Sequence, residues 1–180
     1  MVATKEQKDR DMIKHLTTVA VMLMSGTMAH ATSEPNVIEL LGQANDQGNY
    51  IETNITGSNN ALTLRQSMGS ASLGNNVMNI SINGDSNGGP SGFSFTGVAL
   101  QSGLQPGVLL QEGYNNSMLV DVTGSSNLFS FLQSGSNNAL TAKISGTGNQ
   151  AAVQQYGQNN HVSLSQMGSG NSISISQRSF

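Results

Sequence analysis

From Phe129 onward, apolar residues come in pairs two positions apart: Phe129 and Phe131, Leu140 and Ala142, Ala151 and Val153, Val162 and Leu164, Ile173 and Ile175. The residues between them are mostly Ser, Thr, Gln, Lys or His. Period-two alternation over about seven residues, rich in β-branched types, predicts a strand with one buried face. Each pair lies two and four residues after an Asn. Six residues after the Asn comes Gln133, Gln155, Gln166 or Gln177, with Val122 and Ile144 replacing Gln in two units. Asn, both apolar residues and Gln share one parity, so all are expected to face inward.

The whole unit recurs. Asn116, Asn127, Asn138, Asn149, Asn160 and Asn171 are 11 residues apart, and Gly113, Gly124, Gly135, Gly146, Gly157 and Gly168 each precede one of them by three. Eleven is odd, so an unbroken strand would turn the next set outward. The Gly-containing segment between Gln and the next Asn is therefore expected to be a turn that resets the face, with Gly supplying positive φ. Upstream, Asn49 to Asn60 and Asn76 to Asn87 are also 11 apart, which predicts strands at Tyr50–Ile55, Ala61–Gln66 and Val77–Ile82. Asn60 to Asn76 is 16, one period plus a five-residue insertion, expected as a longer turn at Ser67–Asn75. Val37 to Asn49 reads as an imperfect first unit.

Gly88 to Gly107 fits poorly, because Pro90 and Pro106 each remove a backbone donor. Gln101-x-Gly103 and Gln111-x-Gly113 suggest two distorted units there. The count comes to about twelve strands, hence about six two-strand coils of 22 residues. The expected fold is an all-β solenoid, its equivalent strands stacked parallel and in register roughly 4.8 Å apart. Gln66, Gln111, Gln133, Gln155, Gln166 and Gln177 would then stack as amide ladders, as would Asn60, Asn87 and the six Asn from Asn116 to Asn171. Each amide donates to the next coil, which removes the roughly 1–3 kcal/mol cost of a buried amide without a partner.

Composition says why such ladders are needed. Only 9% of the chain is charged, against about a quarter in a typical globular domain. From Thr32 onward, 77 of 149 residues are Gly, Ser, Asn or Gln, a mixture that cannot build a conventional apolar core. The chain has no Cys, so disulfides do not compensate. From Thr32 only Arg65, Lys143 and Arg178 are basic, against seven acids, which argues against a nucleic-acid binder that neutralises phosphates. The N-terminus differs from the rest. Lys14 and His15 precede the apolar run Leu16–Met24, and small residues lead to Ala29-His30-Ala31. This pattern predicts a secretory signal peptide at 1–31 cleaved after Ala31; the run is far short of the roughly 20 residues that span a membrane. Met12 would make a tidier start than Met1. Residues 32–48 are left as the mature N-terminal segment and 49–180 as the repeats, irregular at 88–107.

Other chemistry is weakly signalled. Gly146-Thr147-Gly148-Asn149-Gln150-Ala151 matches a dinucleotide fingerprint, which needs a following helix where the repeat predicts a strand. Asn83-x-Asp85-x-Asn87-Gly88 imitates the start of a calcium loop, but its twelfth position is Ser94 rather than Glu. His161, the only His after Thr32, is expected to point outward. No catalytic constellation, metal site or cofactor site is expected, and the protein is read as a non-enzyme.

Asn-x5-Gln-x-Gly-x2-Asn, clearest at Asn127–Asn138, Asn149–Asn160 and Asn160–Asn171, resembles the repeat of curlins, the subunits of bacterial curli fibres. The resemblance covers Asn49 to Gln177. It implies a secreted functional amyloid of the extracellular matrix, exported through the periplasm and an outer-membrane pore with accessory proteins. It also implies assembly with a partner curlin subunit and roles in adhesion, aggregation and biofilm. Val122, Ile144, Ile55 and Ile82 depart from the Gln position and leave a major or a minor, nucleating subunit open; the single basic residue of the last repeat, Arg178, leans toward the major type. Two non-enzymatic rivals are a monomeric β-solenoid adhesin, which would be capped, and an ice-binding surface protein. The latter would need outward Thr rows where Asp121, Lys143, Gln154 and His161 stand.

Overall fold

The computed structural model describes residues 35–42, 49–67 and 74–180. The expected signal peptide at 1–31, residues 32–34 and 43–48 of the N-terminal segment, and the centre of the Ser67–Asn75 turn (68–73) lie outside the described residues. Eleven strands are present among the described residues: β1 (Val37–Gly42), β2 (Tyr50–Thr56), β3 (Ala61–Ser67), β4 (Val77–Asn83), β5 (Val108–Tyr114), β6 (Ser117–Ser125), β7 (Leu128–Ser136), β8 (Ala139–Thr147), β9 (Gln150–Gln158), β10 (His161–Ser169) and β11 (Ser172–Arg178).

Successive strands alternate between two sheets. One has the order β1-β3-β5-β7-β9-β11, the other β2-β4-β6-β8-β10. Every pairing is parallel, and from β6 onward partners differ by 22 residues, as in Leu140↔Val162 and Gln133↔Gln155. The chain is an all-β solenoid of parallel, in-register strands. Its core fills the space between the sheets with the inward pairs at the second and fourth positions after each Asn. Column neighbours compensate one another in volume. Phe129 and Phe131 stack with ring centroids 5.7 Å apart, and Phe129 lies between Ala151 and the side-chain-free Gly107.

Twelve strands are expected from the sequence and eleven are found; the difference lies at 88–107. Gly88 bridges Ala61 on one side and Leu128 on the other. Gly107 holds the next ladder position, with its N–H donating to the Phe129 carbonyl (2.7 Å) and its carbonyl accepting from the Thr63 N–H (2.8 Å). Residues 89–106 therefore leave and re-enter one strand between consecutive positions. Asn87 to Asn116 is a single 11-residue unit interrupted by this excursion. Gln101 marks no unit of its own: it sits exposed at the end of a one-turn helix, α1 (Gly97–Leu100). Local turn hydrogen bonds such as Gln101 N–H to Val98 O hold the backbone there, so no ladder forms. Phe95 and Ala99 of the excursion pack on Leu128 and Ala152, on the outer face of the odd-numbered sheet.

Candidate functional site

The turns that join the sheets set where each ladder residue points. Three residues before Asn60, Asn87 and each Asn from Asn116 to Asn171, the Gly has φ between +96° and +143°. At Gly124 a Cβ would lie 2.0 Å from the Gly146 carbonyl oxygen, so both backbone conformation and the approach of the next coil demand Gly there. A second left-handed residue directly precedes each Asn from Asn116 to Asn171: Asn115 (φ 56°), Asn137 (φ 56°), Asn159 (φ 58°) and Ser126 (φ 58°), with Gly148 and Gly170 in the same place. Asn tolerates this region better than most residues, and here the Asn59 and Asn115 side chains donate to the equivalent residues of the next coil, Ser86 and Asn137. Sequence reasoning misses this position, although the doublets Asn115-Asn116, Asn137-Asn138 and Asn159-Asn160 signal it.

The expected Asn residues all join ladders. In each rung the backbone N–H and Nδ2 donate together to Oδ1 of the Asn one coil earlier, as in Asn138 to Asn116 (3.1 and 3.0 Å) and Asn149 to Asn127 (3.1 and 3.0 Å). The second Nδ2 hydrogen reaches the turn Gly of the following coil, as from Asn127 to Gly146 O (2.9 Å) and Asn138 to Gly157 O (3.0 Å). One side chain thus links three coils. Asn60, Asn87, Asn127, Asn149 and Asn171 form one column, and Asn116, Asn138 and Asn160 the other. The columns begin earlier than the sequence reading places them, at Asn36, which Asn60 contacts, and at Asn49 and Asn76.

The Gln residues do not all meet. Gln66, Gln111, Gln133, Gln155 and Gln177 form one ladder on the odd-numbered sheet, each Nε2 donating to the next Oε1 at 2.7, 2.8, 2.9 and 3.2 Å. The other Nε2 hydrogen caps a carbonyl of the opposite sheet, for example Ser117 O from Gln133. Gln166 stands apart on β10. The equivalent positions of its sheet are Ile55, Ile82, Val122 and Ile144, so all four departures from Gln fall on the even-numbered sheet. With Ile144 behind it, the buried Gln166 Oε1 has no partner among the described residues. Asn49 Nδ2 is likewise buried without a partner, at the first even-sheet rung.

The ladders are polar. At the β10–β11 end, no donor among the described residues reaches Oδ1 of Asn160 or Asn171. At the β1–β2 end the columns run out at Asn36, whose Nδ2 donates to Gly57 O (2.9 Å), and at Asn49, and neither meets an Asn acceptor among the described residues. No strand among the described residues pairs with the free edges of β10, β11, β1 or β2. Ser179 follows β11 at the place a turn Gly would hold, donating its N–H to Tyr156 O (3.0 Å), and its Oγ accepts from Gln158 N–H (2.7 Å) and Asn160 Nδ2 (3.2 Å).

The remaining candidates resolve locally. Gly146–Ala151 runs into strand β9 rather than a helix. Asp85 Oδ1 accepts from Ser58 N–H (2.8 Å) and Ser58 Oγ (2.9 Å), while Asn87 is buried in its ladder. His161 is exposed on β10. The Tyr50 hydroxyl donates to Glu52 (3.2 Å), and that bond and the carboxylate charge raise the phenol pKa. Among the described residues no three His, Cys, Asp or Glu are grouped to hold a metal ion, and no helix is long and apolar enough to cross a membrane. No family model, curated protein or solved structure matches this chain.

Proposed function

We propose that this protein is a structural subunit of a secreted, curli-like amyloid fibre that serves adhesion and biofilm matrix formation, as the repeat resemblance implies. One observation carries the reading. Among the described residues no further strand closes either end of the two parallel sheets, and their Asn ladders run with acceptors toward one end and donors toward the other. An unpaired strand edge is a template for another chain. Here the edge also carries the Asn171 acceptor, which an Asn of a further copy would satisfy, as identical side chains do in cross-β stacks. Export by the expected signal peptide, passage through an outer-membrane pore and assembly with a partner curlin subunit belong to the same proposal.

The test is growth of the purified chain from Thr32. Fibres with a reflection at roughly 4.8 Å and a thioflavin response are expected. A chain that stays monomeric at micromolar concentration over days would sink the reading. That outcome would favour the monomeric adhesin, for which Ser179 speaks, since its hydroxyl satisfies turn groups that the next coil would otherwise occupy.

A further inference from the structure

The excursion 89–106 is held against the strands that lead to the open end. Thr96 exchanges hydrogen bonds with the Gln150 amide (2.7 and 2.7 Å), Gln154 Nε2 donates to Ser102 O (2.9 Å), and Ala99 N–H donates to Ser172 Oγ (3.3 Å). α1 lies against β9 and, more extensively, β11. Ala99 is fully buried, whereas Val98 and Leu100 are 45% and 60% exposed beside a strand whose outer edge pairs with no other strand among the described residues. At the opposite end, the first outward residues of β1 and β2 are Val37 and Tyr50, 58% and 47% exposed.

Resting on the fibre reading, we propose that α1 is a docking lip for a second copy of this chain. The first rung of that copy, β1 or β2, adds in parallel to β11, and its outward Val37 or Tyr50 packs against Val98 and Leu100. The chemistry favours this occupant. A strand with Asn in register answers the Asn171 acceptor with both its backbone N–H and its Nδ2, as Asn171 itself answers Asn149, where another residue offers the N–H alone; and the first outward position is apolar on both strands that could enter. Within one chain the excursion already covers this kind of seat, with Phe95 and Ala99 over Leu128 and Ala152. Main-chain pairing supplies affinity in strand addition, and side-chain pockets supply register. The lip therefore sets register and rate.

The absence of Cys makes the test clean. Chains carrying Leu100→Cys are mixed during growth with chains carrying Val37→Cys, Tyr50→Cys or, as control, Ser81→Cys at an exposed mid-stack position on β4, and are cross-linked with a short bis-maleimide. Linkage from position 100 to 37 or 50 is expected to exceed linkage to 81, and 100-to-100 linkage, by about tenfold. Separately, Leu100→Lys should slow elongation about tenfold, the scale of losing about half the burial of one Leu, with the unfolding midpoint of the soluble chain unchanged. Fibres that form with no preference for 37 or 50, or a Leu100→Lys chain that elongates at the parent rate, overturn the lip and leave the fibre reading standing. Absence of any assembly overturns both.

Discussion

Replacing Asn138 by Ala removes the middle link of a ladder. Its Oδ1 accepts from Asn160 N–H (3.0 Å) and Asn160 Nδ2 (2.9 Å), and its Nδ2 donates to Asn116 Oδ1 (3.0 Å) and Gly157 O (3.0 Å). The Ala backbone N–H still reaches Asn116 Oδ1, so the coil below loses little. Above, the Asn160 N–H loses its acceptor where water has almost no access, and the Gly157 carbonyl loses a donor. An orphaned buried N–H costs about 1–3 kcal/mol and each further lost bond about 0.5–1.5 kcal/mol, so the expected loss is about 2–5 kcal/mol. Asn171→Ala is the comparison. Asn171 donates to Asn149 Oδ1 and to the exposed Met167 O but supports no described Asn above it, so its loss should be about 1 kcal/mol. Asn138→Asp keeps the acceptor yet sets a carboxylate oxygen against Asn116 Oδ1 and Gly157 O, and should be worse than Ala. Urea unfolding of dilute chain from Thr32, followed by circular dichroism, reads the difference; with m about 1–3 kcal/mol/M the midpoint for Asn138→Ala falls by about 1 M or more. Equal midpoints for Asn138→Ala and Asn171→Ala would refute the claim that each Asn stabilises the coil that follows it.

Gly124→Ala should destabilise by several kcal/mol, because its Cβ meets a backbone oxygen at 2.0 Å; Gly148→Ala, with open space and only a left-handed φ of 68°, should cost about 1–2 kcal/mol in the same assay. Gln133→Ile should cost about 1–3 kcal/mol, since Gln155 Oε1 loses its donor and Gln111 Nε2 its acceptor. Ile144→Gln should be milder, because the new amide can supply the donor that Gln166 Oε1 lacks. Excising 89–106 joins Gly88 to Gly107 and restores an Asn87-x5-Gln111 unit, so the shortened chain should keep its β circular dichroism, and a coil-like spectrum would contradict the placement of the excursion inside one strand.

The repeat is legible because the solenoid writes its geometry locally. Parity alone sends Asn, the apolar pair and Gln inward, and the buried Asn138, Leu140, Ala142 and Asn149 follow that rule. Two things escape a reading along the chain. The first is that every departure from Gln belongs to one sheet: Ile55, Ile82, Val122 and Ile144 look like scattered blemishes on a Gln pattern, whereas within the expected two-strand coils of 22 residues they stand on every second strand and form one apolar column. The second is the excursion. A linear reading spreads two units over Gly88–Gly107 because it counts ladder positions along the chain, yet Gly88 and Gly107 are neighbours in space. The outward residues beneath the excursion give a hint: Leu128 and Ala152 are apolar where the regular pattern places polar side chains, and both are buried.

The two ladders face opposite ways, and this bears on how the stack could be extended. Along the Asn columns, each later coil donates to the earlier one. Along the Gln column, each earlier coil donates to the later one. At the β11 end the protein therefore presents Asn acceptors together with the Gln177 donor side; Asn36 or Asn49 of an entering β1 or β2 answers the first, whereas Gly42 and Ile55 stand at the Gln position of those strands and leave the second unanswered. An antiparallel strand, or a parallel one slipped by a single residue, turns its inward set outward and leaves Asn171 unmatched. The buried amides thus exclude most wrong additions, while the backbone edge alone would accept any of them. Affinity from the edge and selection from the amides are separate terms. Ile for Gln along one column then lowers the number of amides that must be matched per coil, and keeps an apolar wall where the opposite sheet carries the polar code.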